Sequence, residues 1–380
     1  IDVIDVYQLD GQYLPHISPP PNLAGLNSKV FIRDLNYTSD PKVYLQLLKK
    51  ELETLKFPSF DTAIIVNQSV FQDILEILGD QKIPGRNFTL TPQNYFYALT
   101  LMIESEKAYM SDDKIVIKKT LANIVPALQN VDNLNRFIKL GLREIQSSDL
   151  HIITSNSDHQ SILQEINVAS DFNFYSKKNQ ESFLVSLTSV GGNKTDLDMQ
   201  TDISHSTTLA KNQTPAHHLK LTRTHGYSLN QEVIIDSIAR RVGLYPVSNS
   251  VKHILIKGDN KVVAKVHLPL GSSIEKVLVD SSPVKFEAEI EAETKSKVIY
   301  VPMTTKPYQT NTLEIKYKSG YKLKGSKVFD YKFQHIKTPG LLNANYQKSF
   351  QFDGLSKERL FVDDQSYFQN IENISHDGNT

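Results

Sequence analysis

Arg33-Asp34-Leu35-Asn36 is the stretch whose side chains best suit chemistry at a phosphate. Arg33 could grip phosphate oxygens in a two-pronged hydrogen bond, and Asp34 could hold a divalent cation. These two are the catalytic candidates, with Asn36 beside them as a binding candidate. The plainer reading is a buried turn in which Asp34 and Asn36 satisfy loose backbone groups. A second candidate is Gly191-Gly192-Asn193-Lys194. Its backbone could form an anion-binding nest, with Asn193 and Lys194 as binding residues and Lys194 as the point charge. Against this, the GxxxxGK[ST] pattern is absent and no helix is expected to follow, so a hairpin turn with glycines at positive φ is the simpler expectation. Asp196, Asp198 and Asp202 are expected on one strand face. Calcium prefers oxygens from a curved loop, so a solvated face is expected there.

Of the eleven histidines, His205, His217, His218, His225, His253 and His267 fall in the second half. None has HExxH or another ligand spacing, so no metal is expected, and these side chains are read as strand-surface residues. GxSxG and GxGxxG are absent.

The elements that must position these residues change character along the chain. Before Ser182 the apolar residues recur at helical spacing, and after Ile203 they alternate. Phe183 to Leu187 reads as an incoming strand and Asp196 to Ile203 as an outgoing one, with Leu197, Met199 and Ile203 on one face. This hairpin is the expected seam. In the first half, Ile1 to Leu9 and Val30 to Ile32 read as strands, and Asp40-Pro41 starts a helix. Ala63 to Val66 is wholly apolar, as in a strand covered on both faces. Asn67 can cap the next helix, which Gly79 stops. Thr91-Pro92 starts another helix, Asp113 a further one that Pro126 ends or kinks, and Leu134, Phe137, Ile138 and Leu142 mark an amphipathic helix. His151 to Ile153 and Ser157 to Ile166 add a strand and a helix. In the second half the expected strands include His218 to Thr224, Val251 to Lys257, Lys261 to Leu268, Lys276 to Val279, Val284 to Ile290, Lys297 to Val301, Thr312 to Lys318 and Val328 to Phe333. Glu232 to Arg241 is the one helical pattern there.

The fold class is therefore α/β followed by all-β: a layered α/β domain (1–190), a β-sandwich-like domain (191–345), and a C-terminal strand with a frayed tail (346–380). The chain opens directly in the strand-like IDVIDVYQL, so an upstream segment is expected. Forty-two basic residues balance 42 acidic ones, which gives no electrostatic pointer to nucleic acid. No cysteine is present, which excludes disulfides and thiol catalysis and fits an exported bacterial protein. No apolar run reaches the roughly 18 residues of a membrane span.

An ordered set of segments carries a resemblance that covers nearly the whole chain. DVYQLDGQYLPHISPP, FIRDLNYTSD, FDTAIIVNQSVFQDILEILG, PGRNFTLTPQN, LHIITSNSDHQSILQEI, VSLTSVGGNKTDLDMQTDI, HLPLGSSIEKV and the Lys337-Thr338-Pro339-Gly340 corner together resemble the bacterial envelope family called domain of unknown function 4012. The resemblance implies a membrane-tethered, outward-facing protein whose anchor lies upstream. The α/β half is also similar to the LytR-CpsA-Psr phosphotransferases, which attach glycopolymers to cell walls. The expectation is an extracytoplasmic envelope protein that binds or spaces, with a glycan or protein partner, no nucleic acid and no cofactor. The competing expectation is a phosphotransferase acting on polyprenyl-linked glycopolymers, which would require Mg²⁺.

Overall fold

Asp40 and Pro41 start a helix for the reason their order suggests: the Asp40 carboxylate accepts from the Lys42 amide at 2.8 Å, and proline needs no partner at the first helical position. The computed structural model describes residues 6–20, 23, 28–83, 86–106, 122, 124–127, 129–166, 168, 174, 176–292, 294–323, 331–338, 340–341 and 344–353. The first half runs α1 (Val6–Asp10), a 3-10 helix (Ile32–Tyr37), α2 (Pro41–Thr54), β1 (Thr62–Val66), α3 (Ser69–Leu78), β2 (Gln81–Lys82), β3 (Thr89–Leu90), α4 (Tyr95–Glu106), α5 (Ile124–Ala127), α6 (Val131–Gln146), β4 (Leu150–Thr154) and α7 (Ser157–Glu165). Gly79 ends α3 at φ 73°. The expected helix from Asp113 begins outside the described residues.

Several expectations for this half are corrected. Ile1 to Asp5 lie outside the described residues, and Val6–Asp10 is helical rather than extended. Ile32 belongs to the 3-10 helix, not to a strand, because the Asp10 carboxylate accepts the Ile32 amide at 2.9 Å and holds a turn there. Strand β1 is not covered on both faces: Ile64 is 60% and Val66 49% exposed. Among the described residues it pairs with β4 alone, antiparallel, so Ala63 and Ile65 face inward beside Ile153 and His151 while Ile64 and Val66 face out. Helix α6 is turned from the expected face. Leu140 and Glu144 are buried, whereas Leu134, Ile138 and Leu142 are exposed. Polar contacts with α3 set that rotation: Arg143 pairs with Asp73 at 3.0 Å, and Arg136 donates to the Glu76 and Ile77 carbonyls.

The second half is built on β5 (Ser176–Lys177), β6 (Gln180–Ser189), β7 (Met199–Ala210), β8 (Ala216–His225), β9 (Asn260–Pro269), β10 (Ser273–Val279), β11 (Ser282–Pro283), β12 (Glu287–Glu291), β13 (Ser296–Thr305), β14 (Thr310–Lys318), β15 (Lys332–Lys337) and β16 (Ala344–Asp353). They form two sheets. One has the order β11-β10-β14-β8-β7-β16. The other has the order β12-β13-β9-β6-β15, with β5 pairing β6. The facing side chains share one core, including Phe183 and Val185, Ile203, Leu219 and Leu221, Val262 to Leu268 at alternate positions, Ile299, and Leu313 to Tyr317 at alternate positions. Alternation thus reports the inner face, as for a sandwich. Between Lys261 and Lys337 no helix occurs among the described residues.

The seam is not a hairpin. Strands β6 and β7 belong to opposite sheets, and residues 190–198 carry the chain across. Thr195–Asp198 is a 3-10 turn, so Asp196 and Asp198 do not share a strand face with Asp202. Strand β6 lies ahead of residue 191 yet pairs within the sandwich, with β9 and β15. Helix α8 (Leu229–Val242) covers the expected helical pattern. Val251 to Lys257 is helical, ending α9 (Asn249–Lys252) and continuing as a π-helical turn, rather than a strand. Its Val251, Leu255 and Ile256 pack with α4 and α8 residues such as Leu101 and Ile238, and that helical spacing won over β-branching. The Val284 to Ile290 strand shrinks to β12, and β15 begins at Lys332. The histidines are corrected too: His205, His217, His225 and His267 are buried rather than strand-surface groups.

Ile299 is fully buried in the sandwich core, whereas Ile290 is 65% exposed on β12. Ile299→Ala is expected to cost about 2–5 kcal/mol through lost transfer energy and a cavity, and Ile290→Ala less than about 0.5 kcal/mol. Urea denaturation of both variants measures the contrast; equal effects would place the core elsewhere.

Candidate functional site

The 3-10 helix presents Arg33 at a partly exposed position, with 30% of its side chain open to solvent. Its Nη1 donates to Asp10 Oδ2 at 2.8 Å, and its Nε lies 3.8 Å from Asp34 Oδ1. The guanidinium also sits over the Phe31 ring at 4.6 Å and the Tyr7 ring at 5.3 Å. Asp34 Oδ2 accepts the Phe31 amide at 3.4 Å, a local turn contact. Asn36 is exposed on the same turn. Asp10 was not singled out from sequence; it is nearly buried and serves both Arg33 and the Ile32 amide. A phosphate approaching Arg33 would meet two carboxylates and must displace at least one. Behind them, the buried Glu51 carboxylate accepts from Tyr13 at 2.7 Å and lies 3.7 Å from the exposed His16 ring. Burial, with the Glu51 hydrogen bond, pushes the Tyr13 phenol well above its ordinary value.

The second candidate is a brace. Asn193 donates from Nδ2 to the Asp259 carbonyl at 2.7 Å and accepts the Thr195 hydroxyl at 2.8 Å. A Cβ on Gly258 would lie 2.7 Å from Asn193 Nδ2, so the contact requires glycine. Gly192 takes φ 68°, as a glycine turn predicts. Lys194 is exposed; its amide, not its ammonium, makes the recorded contact, to the Ile254 carbonyl at 2.8 Å. Below this crossing lies Arg223, 3% exposed, with Nη2 3.5 Å from Asp196 Oδ1. Asn260 donates to the same carboxylate oxygen at 2.9 Å. Burial lowers the Arg223 pKa, and Asp196 acts against that shift. The buried Arg223 thus pairs with a half-exposed carboxylate and ties the crossing to β8, while Asn260 ties it to β9.

The structure does not bring Arg33 and Asp34 together with Asn193 and Lys194. The first pair packs with α1 and α2 residues. The second pair sits at the Asn260 end of β9. The turn carrying Arg33 instead reaches the middle of that strand, where the Tyr37 carbonyl accepts Lys265 Nζ at 2.9 Å.

A third constellation, missed from sequence, has the residue types of acyl transfer. Ser39 Oγ lies 2.9 Å from His267 Nε2. His267 Nδ1 lies 2.9 Å from Ser296 Oγ and 3.6 Å from Glu291 Oε2. Nucleophile, base and acid are thus in line. Yet Ser39 is buried beneath the start of α2, its hydroxyl is also shared with Ser186 at 3.3 Å, and the helix amide nearest it is capped by Asp40. Burial holds the His267 pKa well below its ordinary value, with Lys265 acting the same way. The arrangement satisfies a histidine between two layers. Only separation in sequence hid it, since 228 residues part Ser39 from His267. Among the described residues no group of three or more His, Asp or Glu could hold a metal ion.

Arg33→Met is expected to cost about 1–3 kcal/mol, because it leaves the nearly buried Asp10 unpaired. Combining it with Asp10→Asn should recover about 1 kcal/mol or more relative to the sum, read by thermal denaturation in a double-mutant cycle. A residue reserved for a ligand would instead leave stability unchanged or raised when replaced.

No family model and no curated protein matches the chain. Solved structures that it resembles do so weakly. A Legionella pneumophila protein named for nutrient binding shares 8% identity at a TM-score of 0.23, over 38% of this chain and 44% of that one. An M1 zinc metallopeptidase from Deinococcus radiodurans shares 10% at 0.18, over 34% and 22%. Yeast LTA4 hydrolase shares 9% at 0.18, over 33% and 16%. The chain spans less than half the length of each, and likeness at this level carries no functional argument.

Proposed function

We propose that this chain is a non-enzymatic, extracytoplasmic protein of the bacterial cell envelope, in which an α/β platform carries a β-sandwich used for binding or spacing. The observation that carries the reading is the engagement of Arg33. Its guanidinium is ion-paired with Asp10 and flanked by Asp34, so the group best suited to a pyrophosphate already holds the platform together. Asn193 supports the same reading, because both ends of its amide brace the crossing between sheets. The proposed partner is an envelope glycan or protein, with the membrane reached through an anchor upstream of Ile1. The family resemblance carried by the ordered segments is the ground for the envelope location.

The competing proposal is a LytR-CpsA-Psr-like phosphotransferase, in which Arg33 would clamp a lipid pyrophosphate and Asp34 would hold Mg²⁺. Binding of a polyprenyl pyrophosphate, with and without Mg²⁺, to the wild type and to Arg33→Ala separates the two. The expected result is no binding by either protein. Mg²⁺-dependent binding that Arg33→Ala weakens about tenfold or more would overturn the non-enzymatic reading, since one charge-assisted contact is worth about 1.5–3 kcal/mol.

A further inference from the structure

The interior of the sandwich is not uniformly apolar. Toward one flank the core residues give way to Glu181 on β6, His205 and Thr207 on β7, His217 on β8, Tyr317 on β14, His335 on β15, and Tyr346 and Lys348 on β16, all buried. Tyr331, just before β15, and Ser319, just after β14, close the group. Lys348 donates to the Thr207 hydroxyl. Thr207 lies 3.0 Å from His217 Nδ1, and His217 Nε2 lies 3.3 Å from Glu181. With Thr207 accepting from the amine, its own proton goes to Nδ1, which leaves the His217 ring proton on Nε2 facing Glu181. Glu181 also accepts from Tyr331. The chain from amine to carboxylate is therefore complete with a neutral imidazole.

His205 and His335 stand outside that chain. His205 Nε2 meets the Tyr317 hydroxyl at 3.1 Å, while its Nδ1 is buried with no hydrogen-bond partner. His335 stacks on Tyr346 with centroids 3.9 Å apart and lies 5.3 Å from the Phe183 ring. Phe333 of β15 sets its edge on His205 at 4.9 Å and also lies under the Lys348 ammonium at 3.8 Å. After burial, Lys348 acts most on both histidines, and His217, His335 and the half-exposed His218 act the same way on His205; the carboxylate of the cluster, Glu181, is held by His217 and Tyr331. Burial first, then Lys348, pushes His335 down to about 3 and His205 well below the ordinary imidazole value.

The cluster lies at the β15 and β16 ends of the two sheets. Among the described residues each of these strands pairs with one neighbour, β6 and β7 respectively, and both pairings are parallel. We propose that β15 and β16 form an acid-released flank, in which protonation of His335 and His205 frees these two strands while the rest of the sandwich stays folded. The linkage has a definite sign. A histidine that is neutral when buried and ordinary when hydrated binds protons in the open state first. For the histidines, closure weakens as pH falls through about 6.5 toward the depressed values, and Lys348, which burial holds well below the ordinary amine value, adds proton uptake on opening in the same direction from higher pH. Opening the flank carries His335 and Lys348 away from His205 and lets water reach all three, so the open state gains the protons. At about pH 5 His335 should raise the opening constant about thirtyfold relative to neutral pH, and His205 should act in the same direction.

Hydrogen exchange read by mass spectrometry on the full chain at about pH 7.5 and about pH 5, corrected for intrinsic rates, tests this. Protection in 332–337 and 344–353 should fall by at least about thirtyfold at the lower pH, while 216–225, 260–269 and 310–318 change less than about twofold. His335→Phe keeps a ring against Tyr346 but cannot charge, and should remove about thirtyfold of that acid effect; His205→Phe should also reduce it. Loss of protection in all strands together, no acid effect in β15 and β16, or an unaltered effect in a folded variant would overturn the proposal. If neither variant folds, the strand-by-strand profile of the wild type decides.

Discussion

Strand β9 is buried on both faces, and much of the architecture depends on that constraint. Val262, Ala264, Val266 and Leu268 look into the sandwich. Val263, Lys265 and His267 look out, where an ordinary antiparallel sheet would meet water. Val263 is instead covered with Leu23, Val298 and Tyr300, while the polar pair is satisfied by the incoming chain. Lys265 donates to the Tyr37 carbonyl, and His267 meets Ser39. The same short stretch that docks on β9 leads directly into α2 and begins with the turn that holds Arg33. The two halves are joined through a strand that serves as core for both.

This explains why the candidate residues are engaged where they are. A desolvated Lys265 or His267 without a partner would cost more than a hydrogen bond returns, so the docking segment must arrive in one register. Asp10 helps to set that register, because it ties the 3-10 turn through both Ile32 and Arg33. The seam crossing follows the same logic at the other end of β9. There Asn193 and Asn260 fix residues 190–198 over the buried Arg223, which pairs with the half-exposed Asp196. Groups suited to phosphate chemistry by type are therefore used to position backbone.

The polar interior at the β15–β16 flank is a different case. Buried ionisable groups contribute little net stability even when paired. Here a chain of contacts runs through Lys348, Thr207, His217 and Glu181, and His205 and His335 lie near Lys348 beside it. The cluster adjoins the apolar core through Phe183, Tyr317 and Tyr346, and reaches from the terminal strands β15 and β16 to His217 on β8.

Much of the architecture was legible in the chain itself. Period-two alternation after Ile203 announced strands with one inward face, and Asp40-Pro41, Gly79 and the Glu232 to Arg241 pattern marked helix ends and a helix, because these signals are local. Sequence also fixed composition: balanced charge, no thiol, and no group spaced as a phosphate loop. What it could not determine is which strand pairs with which. Phe183 to Leu187 and Met199 to Ile203 alternate as hairpin arms would, yet they enter opposite sheets, since strand partners are chosen by burial across the whole core. Nor could it orient α6 or expose β1, because a neighbour's position decides which of two apolar faces is covered. The histidines were misplaced for the same reason. Alternation puts His205, His217 and His267 on a face, but only the facing layer makes that face an interior. Arg33 reads as free in one dimension; folding brings Asp10 across 23 residues to meet it.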